Sequence, residues 1–94
     1  MARPRSKKRV MFIPEVTCFR PAWIHMRDLQ ELELSLAEME AVRLKDVIDL
    51  TQKEAAELMH ISQPTFHRVL LNARRKIAHA LINGSILNIS IEKT

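Results

Sequence analysis

The sequence predicts a single, mainly α-helical domain with short β-strands near its two ends. Helix-capping signals at three positions, an apolar stripe with helical spacing and an alternating segment near the C-terminus support this fold class. The length of 94 residues suits one domain, and 47% hydrophobic with 28% charged residues is ordinary globular usage. The composition therefore excludes a chain that is disordered throughout.

Two capping boxes mark the starts of the first two helices. In Ser35–Glu38 and Thr51–Glu54, the hydroxyl can accept from the N3 amide while the glutamate side chain reaches back to the cap. Apolar residues follow each box at helical spacing. The sequence therefore predicts a first helix that runs to about residue 48 and a second, short helix that ends near Met59.

A third and longer helix is predicted to begin after Ser62. Pro64 is compatible with a first turn, and Gly84, the only glycine, marks the end. Apolar residues recur along this segment on one face, which is the predicted buried face. They are Phe66, Val69, Leu70, Ala73, Ile77, Ala80 and Leu81.

Two segments near the chain ends have strand patterns. Val10–Ile13 is a short apolar run closed by a proline, and Ile86–Ile91 alternates apolar and polar residues. Because a lone strand leaves its backbone groups unpaired, the two segments are predicted to pair with each other. The pairing can form within one chain or by exchange between two chains, and exchange, which would make a homodimer, is the favoured interpretation.

The segment between these strands and the first capping box fits two patterns. Met26, Leu29 and Leu32 have helical spacing, whereas the alternate leucines that follow fit a strand. A short helix that begins near Arg27 is the favoured interpretation. Trp23 is expected to anchor the connecting segment on the helices by burying its large apolar side chain.

The charged residues are unevenly distributed along the chain. Residues 1–14 contain five basic residues and no acid, and residues 58–82 contain four basic residues and no acid. Between them, residues 15–57 contain ten acids and five bases. Two basic regions around an acidic middle favour binding to a polyanion, although a solvated face or a free tail also explains a basic run.

A short capped helix, a brief break and a longer capped helix together form a helix-turn-helix pattern. Ala56 is small enough for close helix contact, and Ile61 is an apolar plug for the turn. The face of the third helix opposite its apolar stripe can read a DNA groove through Gln63, His67, Arg68 and Asn72. The predicted phosphate contacts are Ser62, Thr65, Arg74, Arg75 and Lys76.

The basic arm before the first strand is a second predicted DNA contact. Its cations are Arg3, Arg5, Lys7, Lys8 and Arg9. Pro4 stiffens the chain between two guanidinium groups, which favours insertion into a minor groove. Nonspecific phosphate contact and a free tail are the alternatives.

Several stretches of the sequence also carry a family resemblance. E-A-V-R-L closes the first predicted helix, L-T-Q-K-E-A-A-E-L spans the second, and I-S-Q-P-T-F-H-R-V leads into A-R-R-K-I. Over residues 35–81 these stretches resemble the region-4 DNA-binding domain of sigma factors. M-A-R-P-R and F-I-P-E-V-T-C-F-R-P extend a further resemblance over nearly the whole chain, to small uncharacterised bacterial and archaeal proteins to which DNA binding is ascribed.

The resemblance to region 4 implies a sigma-region-4-like helix-turn-helix core that binds double-stranded DNA. It places Gln63, Pro64, His67 and Arg68 towards bases and nearby phosphates. His60 stands at the turn position that usually holds glycine, and histidine tolerates a left-handed backbone at some steric cost. Nothing in the chain matches the other regions of a sigma factor, so a complete initiation factor is not implied.

Other classes of function have little support in the sequence. No nucleophile stands with an acid and a base, and no Cys or His pair has metal-ligand spacing, so we expect no enzyme activity, metal or cofactor. A single cysteine and the lack of a long apolar run favour a cytoplasmic protein without a membrane segment. The predicted function is sequence-directed DNA binding by a small transcriptional regulator. A protein-interaction module that docks on RNA polymerase or a regulator is the alternative.

These interpretations divide the chain into four segments. They are a basic arm (1–9), a strand and connecting segment that packs on the core (10–34), a helix-turn-helix DNA-binding domain (35–82) and a C-terminal strand or tail (83–94).

Overall fold

The computed structural model describes residues 8–25 and 28–91. In chain order the elements are β1 (Cys18–Phe19), β2 (Glu31–Leu34), α1 (Leu36–Val42), α2 (Gln52–Leu58), α3 (Gln63–Asn83) and β3 (Ile86–Ile89). The described chain is therefore mainly helical with a small three-stranded sheet, which confirms the predicted fold class at this level. None of the described helices is long and apolar enough to cross a membrane.

The first capping box forms as predicted, and the helix that follows changes its pitch. Glu38 N donates to Ser35 Oγ at 3.0 Å, and Ser35 N donates to Glu38 Oε1 at 2.9 Å. After α1 the helix continues as a π-helical segment, Arg43–Val47, in which Ile48 N donates to Arg43 O at 2.9 Å. The predicted end near residue 48 is confirmed, whereas the wider last turn has no signal in the sequence.

The two later helices also begin and end where the caps predict. Glu54 N donates to Thr51 Oγ1 at 3.1 Å, and Thr65 N donates to Ser62 Oγ at 3.2 Å. Gly84 ends α3 in a left-handed conformation with φ 68°. His60 lies in the turn between α2 and α3 with φ 59°, so histidine does occupy a left-handed position there.

The sheet differs from the predicted pairing. β3 lies in the middle, antiparallel to β1 through Phe19 and Leu87 and parallel to β2 through Leu32 and Leu87. The prediction that Val10–Ile13 is a strand paired with the C-terminal strand is therefore wrong. Part of the reason is that a side chain takes a backbone donor of this segment, since Met11 N donates to Glu40 Oε2 at 3.2 Å.

The favoured helix near residue 27 is a second correction. Residues 26 and 27 lie outside the described part of the chain, and Glu31–Leu34 is a strand. Leu34 is buried while Glu31 and Glu33 are exposed, as the alternating pattern requires. Pairing with β3 satisfies the backbone of this segment, so the tertiary partner decides between two local patterns that compete in the sequence.

The main core lies between the helices. Its fully or almost fully buried side chains are Ala41, Leu44, Ala55, Ala56, Met59, Phe66 and Leu70. A second cluster joins α1 and α3 to the sheet through Leu34, Met39 and Ala73. Phe66, Leu70 and Ala73 confirm the first part of the predicted stripe on α3, and Val69, Ile77 and Ala80 are partly buried.

Two predicted core residues are exposed instead. Leu81 lies on the last turn of α3, and this helix of 21 residues runs beyond the cover of the much shorter α1 and α2. Trp23 does not anchor the connecting segment, since its side chain is exposed and its backbone is left-handed with φ 68°. Pro21 is the residue of this segment that lies against Gly84, at the end of α3.

Candidate nucleic-acid interface

The inner side of α3 packs against the core, and its opposite side is exposed. Ala56 and Phe66 are both buried where α2 and α3 pack together, and the missing bulk at Ala56 permits a close approach. Ile61 is half-buried against the same cluster, and its amide donates to Ala56 O at 3.1 Å. The predicted roles of Ala56 and Ile61 in the packing are confirmed.

The predicted groove-facing side chains share one exposed surface at the N-terminal end of α3. Those that the structure leaves exposed are Gln63, Pro64, His67, Arg68 and Asn72. His67 Nδ1 lies 3.3 Å from Gln52 Oε1, and an Arg68 guanidinium nitrogen donates to Thr65 Oγ1 at 3.3 Å. Both contacts are long and solvent-exposed, so these side chains are available to a ligand.

The hydroxyl groups at the start of α3 serve first as caps. Ser62 Oγ accepts from Thr65 N and also donates to Thr65 Oγ1 at 2.9 Å. Ser62 is exposed and Thr65 is half-buried. Their position at the positive end of a helix suits a phosphate oxygen.

Two of the three cations predicted to contact phosphates are instead paired within the protein. Arg74 donates twice to Asp46, at 2.6 and 3.1 Å, and the hydrogen bond from Arg74 lowers the pKa of the Asp46 carboxyl. Lys76 Nζ donates to Glu38 Oε1 at 2.8 Å and to Glu33 O at 2.7 Å. These contacts tie α3 to the π-helical segment, α1 and β2.

Arg68 and Arg75 differ from these two cations. Both are exposed, and neither forms a salt bridge within the described residues. The cations on α3 thus divide into a pair that holds the fold together, Arg74 and Lys76, and a pair that is open to an anion.

The end of the basic arm lies beside the turn between α2 and α3. Arg9 N donates to Met59 O at 2.9 Å, and an Arg9 guanidinium nitrogen lies 3.3 Å from His60 Nε2. Lys8 is exposed. The other predicted arm cations, Arg3, Arg5 and Lys7, lie outside the described residues.

A buried carboxylate that sequence reasoning missed holds the chain after the arm. Glu40 is fully buried, accepts from Met11 N and receives two hydrogen bonds from Arg43, at 2.8 and 2.9 Å. Both the hydrogen bond and the charge of Glu40 raise the pKa of Arg43, and the Phe12 ring lies 5.1 Å from its guanidinium carbon. The spacing of Glu40 and Arg43, three residues apart on a helix, is the one signal in the sequence for this pair.

The structure offers no cluster for a metal ion within its described residues. No group of three or more His, Cys, Asp or Glu side chains converges there. Cys18 is exposed on β1.

Comparison with known proteins relates the chain to uncharacterised relatives. It is 55% identical to a UPF0251 protein of Halothermothrix orenii over 93% of this chain and 64% of the relative. It is 48% identical to one of Pelotomaculum thermopropionicum over 96% and 68% of the two chains, and 47% identical to one of Desulforudis audaxviator over 95% and 58%. The chain thus spans roughly three fifths to two thirds of their lengths, and no solved structure matches it significantly. Residues 1–92 match a family profile, and the chain belongs to that family, described as protein of unknown function DUF134.

Proposed function

We propose that this protein binds double-stranded DNA in a sequence-directed manner, as a small transcriptional regulator, with α2, the turn and α3 acting as a sigma-region-4-like helix-turn-helix. One observation carries the proposal. The N-terminal half of α3 is anchored by the fully buried Phe66 and Leu70, while its opposite face presents hydrogen-bonding side chains to solvent. A rigid helix with such a face has the form of a recognition helix.

The chemistry of this face suits base edges. An α-helix with its side chains fits the major groove, and Arg68 can donate to both acceptors of a guanine. Gln63 can pair with an adenine through its amide, and His67 and Asn72 lie on the same face.

Phosphate contacts in this proposal come from a narrower set than the sequence suggested. Arg75 and the arm residues Lys8 and Arg9 are exposed cations, with Ser62 at the start of the helix. Arg74 and Lys76 already have carboxylate partners, so they contribute less. Arg9 lies at the turn before α3, which supports a contact of the arm with the DNA that flanks the helix.

A salt titration tests the proposal. A preferred duplex is first selected from a random pool, and its affinity is then measured by fluorescence anisotropy at increasing salt. With the arm included, we expect six or more phosphate contacts and a log–log slope of about −5 or steeper. The absence of any duplex affinity at low salt would overturn the proposal.

A second candidate function is docking on RNA polymerase or a regulator. The observation that favours it is an exposed apolar pair, Val47 and Ile48, within the acidic middle of the chain next to Asp49. A variant with Val47→Ser and Ile48→Ser separates the two functions. If the protein acts by binding DNA, this variant should retain its DNA affinity. If the protein acts by docking, the variant should lose only its contact with the partner protein.

A further inference from the structure

A second exposed surface lies at the other end of α3. We call it the apolar patch and define it as Phe19, Trp23, Ile24, Leu81 and Ile82. Their exposed fractions are 51%, 99%, 47%, 77% and 82%. Such large apolar side chains in one region of the surface usually mark an interaction site.

The members of the apolar patch come from two segments that lie side by side. β1 pairs with β3, which begins directly after the end of α3, and this pairing places Phe19 opposite Leu87. Pro21 Cγ lies 4.0 Å from the position that a Cβ atom on Gly84 would take. The segment that contains Trp23 therefore borders the last turn of α3.

Trp23 is held in an unfavourable conformation that displays its side chain. Its φ of 68° lies in the left-handed region, which is a real outlier for a bulky residue. Since the side chain is almost completely exposed, the single chain gains no burial in return. Tryptophan is also among the residue types most enriched at the energetic centres of protein interfaces. Strain that presents such a residue to water points to a partner surface.

The area of the apolar patch matches what a dimer needs. An aromatic side chain can bury about 150–250 Å² and an aliphatic one roughly 60–120 Å², so the patch offers on the order of 500 Å². Two such patches facing each other bury about 1,000 Å² before any rim is counted, which is the lower bound for a specific interface.

We propose that the apolar patch is the interface of a two-fold symmetric homodimer. A two-fold interface brings each surface against its own copy, and none of the five patch residues carries a charge that would be repelled there. Arg20 is an exposed cation between Phe19 and Trp23 in sequence, and it lines the same concave surface as these two side chains. This route replaces the strand exchange expected from the sequence, because β3 is already paired with β1 and β2 of its own chain.

The proposed dimer leaves the candidate DNA-binding end free. α3 has 21 residues and is therefore about 30 Å long, with Gln63 at one end and the apolar patch at the other. Two chains joined at their patches would carry two outward-facing helix starts.

Trp23 itself reports on this interface, since it is the only tryptophan in the chain. We expect its emission to shift to shorter wavelength as protein concentration rises. The shift should follow the change in sedimentation-equilibrium mass from one chain of 10.9 kDa to two. Trp23→Ser should raise the dimer Kd at least about 30-fold, and a variant with Leu81→Ser and Ile82→Ser should lose both the mass change and the shift.

The control is Ile13→Ser, which removes a side chain that is 59% exposed outside the apolar patch. It should keep the wild-type mass and emission shift, with circular dichroism showing that every variant is folded. A single-chain mass up to about 100 µM overturns the proposal, and so does a dimer whose Trp23 emission does not move. No DNA is present in these measurements, so their failure is independent of the proposed DNA binding.

Discussion

The two ends of α3 obey the same helical geometry and present opposite chemistry. At the Ser62 end, the outer side of the helix exposes Gln63, His67 and Arg68, and its inner side is completely buried. At the Gly84 end, Leu81 and Ile82 face solvent. The first end combines a rigid base with polar groups that suit a polyanion. The second combines exposed apolar groups with a sheet edge, which suits a protein surface.

An apolar stripe on a helix does not by itself identify a core. The stripe is continuous along α3, yet only the part opposite α1, α2 and the sheet is covered. Beyond that cover the same spacing forms a surface. Hydrophobic burial depends on what faces the helix and not on the periodicity alone.

The largest expected effect separates the two ends by stability. Phe66→Ala should lower the free energy of unfolding by about 3–5 kcal/mol, because it removes a fully buried ring. Leu81→Ala, from the same predicted stripe, should change it by less than about 0.5 kcal/mol at concentrations where the chain is monomeric. Urea denaturation measures both values. Similar losses for the two variants would show that the end of α3 is covered in solution.

The next effect concerns the cations at the Ser62 end. Arg68→Ala should cost about 1–3 kcal/mol of binding free energy at one preferred base position, because a base contact carries sequence information. Arg75→Ala should weaken all duplexes alike and reduce the salt slope by about one. Anisotropy titrations on the selected duplex and its single-base variants distinguish these outcomes. If Gln63→Ala alone removes the preference, Arg68 is a phosphate contact.

The smallest effect concerns the pair formed by Asp46 and Arg74. Asp46→Asn should cost about 0.2–1 kcal/mol of stability, since both side chains are substantially exposed. It should also release Arg74 and increase DNA affinity, with a salt slope steeper by about one. Unchanged affinity would mean that Arg74 lies away from the DNA.

The same pair has a defined pH dependence. Because Arg74 lowers the pKa of Asp46 in the folded chain, the stabilisation is present above the ordinary Asp pKa of about 4. This stabilisation is lost as the pH falls through the lowered pKa of Asp46. The stability difference between the wild type and Asp46→Asn should therefore be constant near neutral pH and vanish in acid.

The sequence predicted most of the helical framework because caps are local. A hydroxyl and a glutamate three residues apart can form a capping box through contacts within one helical turn. A glycine can end a helix because it readily adopts the left-handed conformation. It also predicted the exposed face at the start of α3, since burial of Phe66 and Leu70 fixes the opposite side.

The strands were predicted less well, because a strand needs a distant partner. β3 was recognised, whereas its neighbours were not, since β1 has two residues and β2 competes with a helical pattern. The pairing of Arg74 with Asp46, 28 residues away, likewise has no signal in local spacing.

By itself, the sequence determined where the helices start and stop, and that one face of α3 is polar at its beginning. These features depend on groups within a few residues of each other, so composition and spacing are sufficient. Only the tertiary structure decided which cations are engaged, which strand lies in the middle of the sheet, and that Trp23 and Leu81 face solvent. Each of these depends on which distant surface covers a residue, and local sequence does not specify that cover.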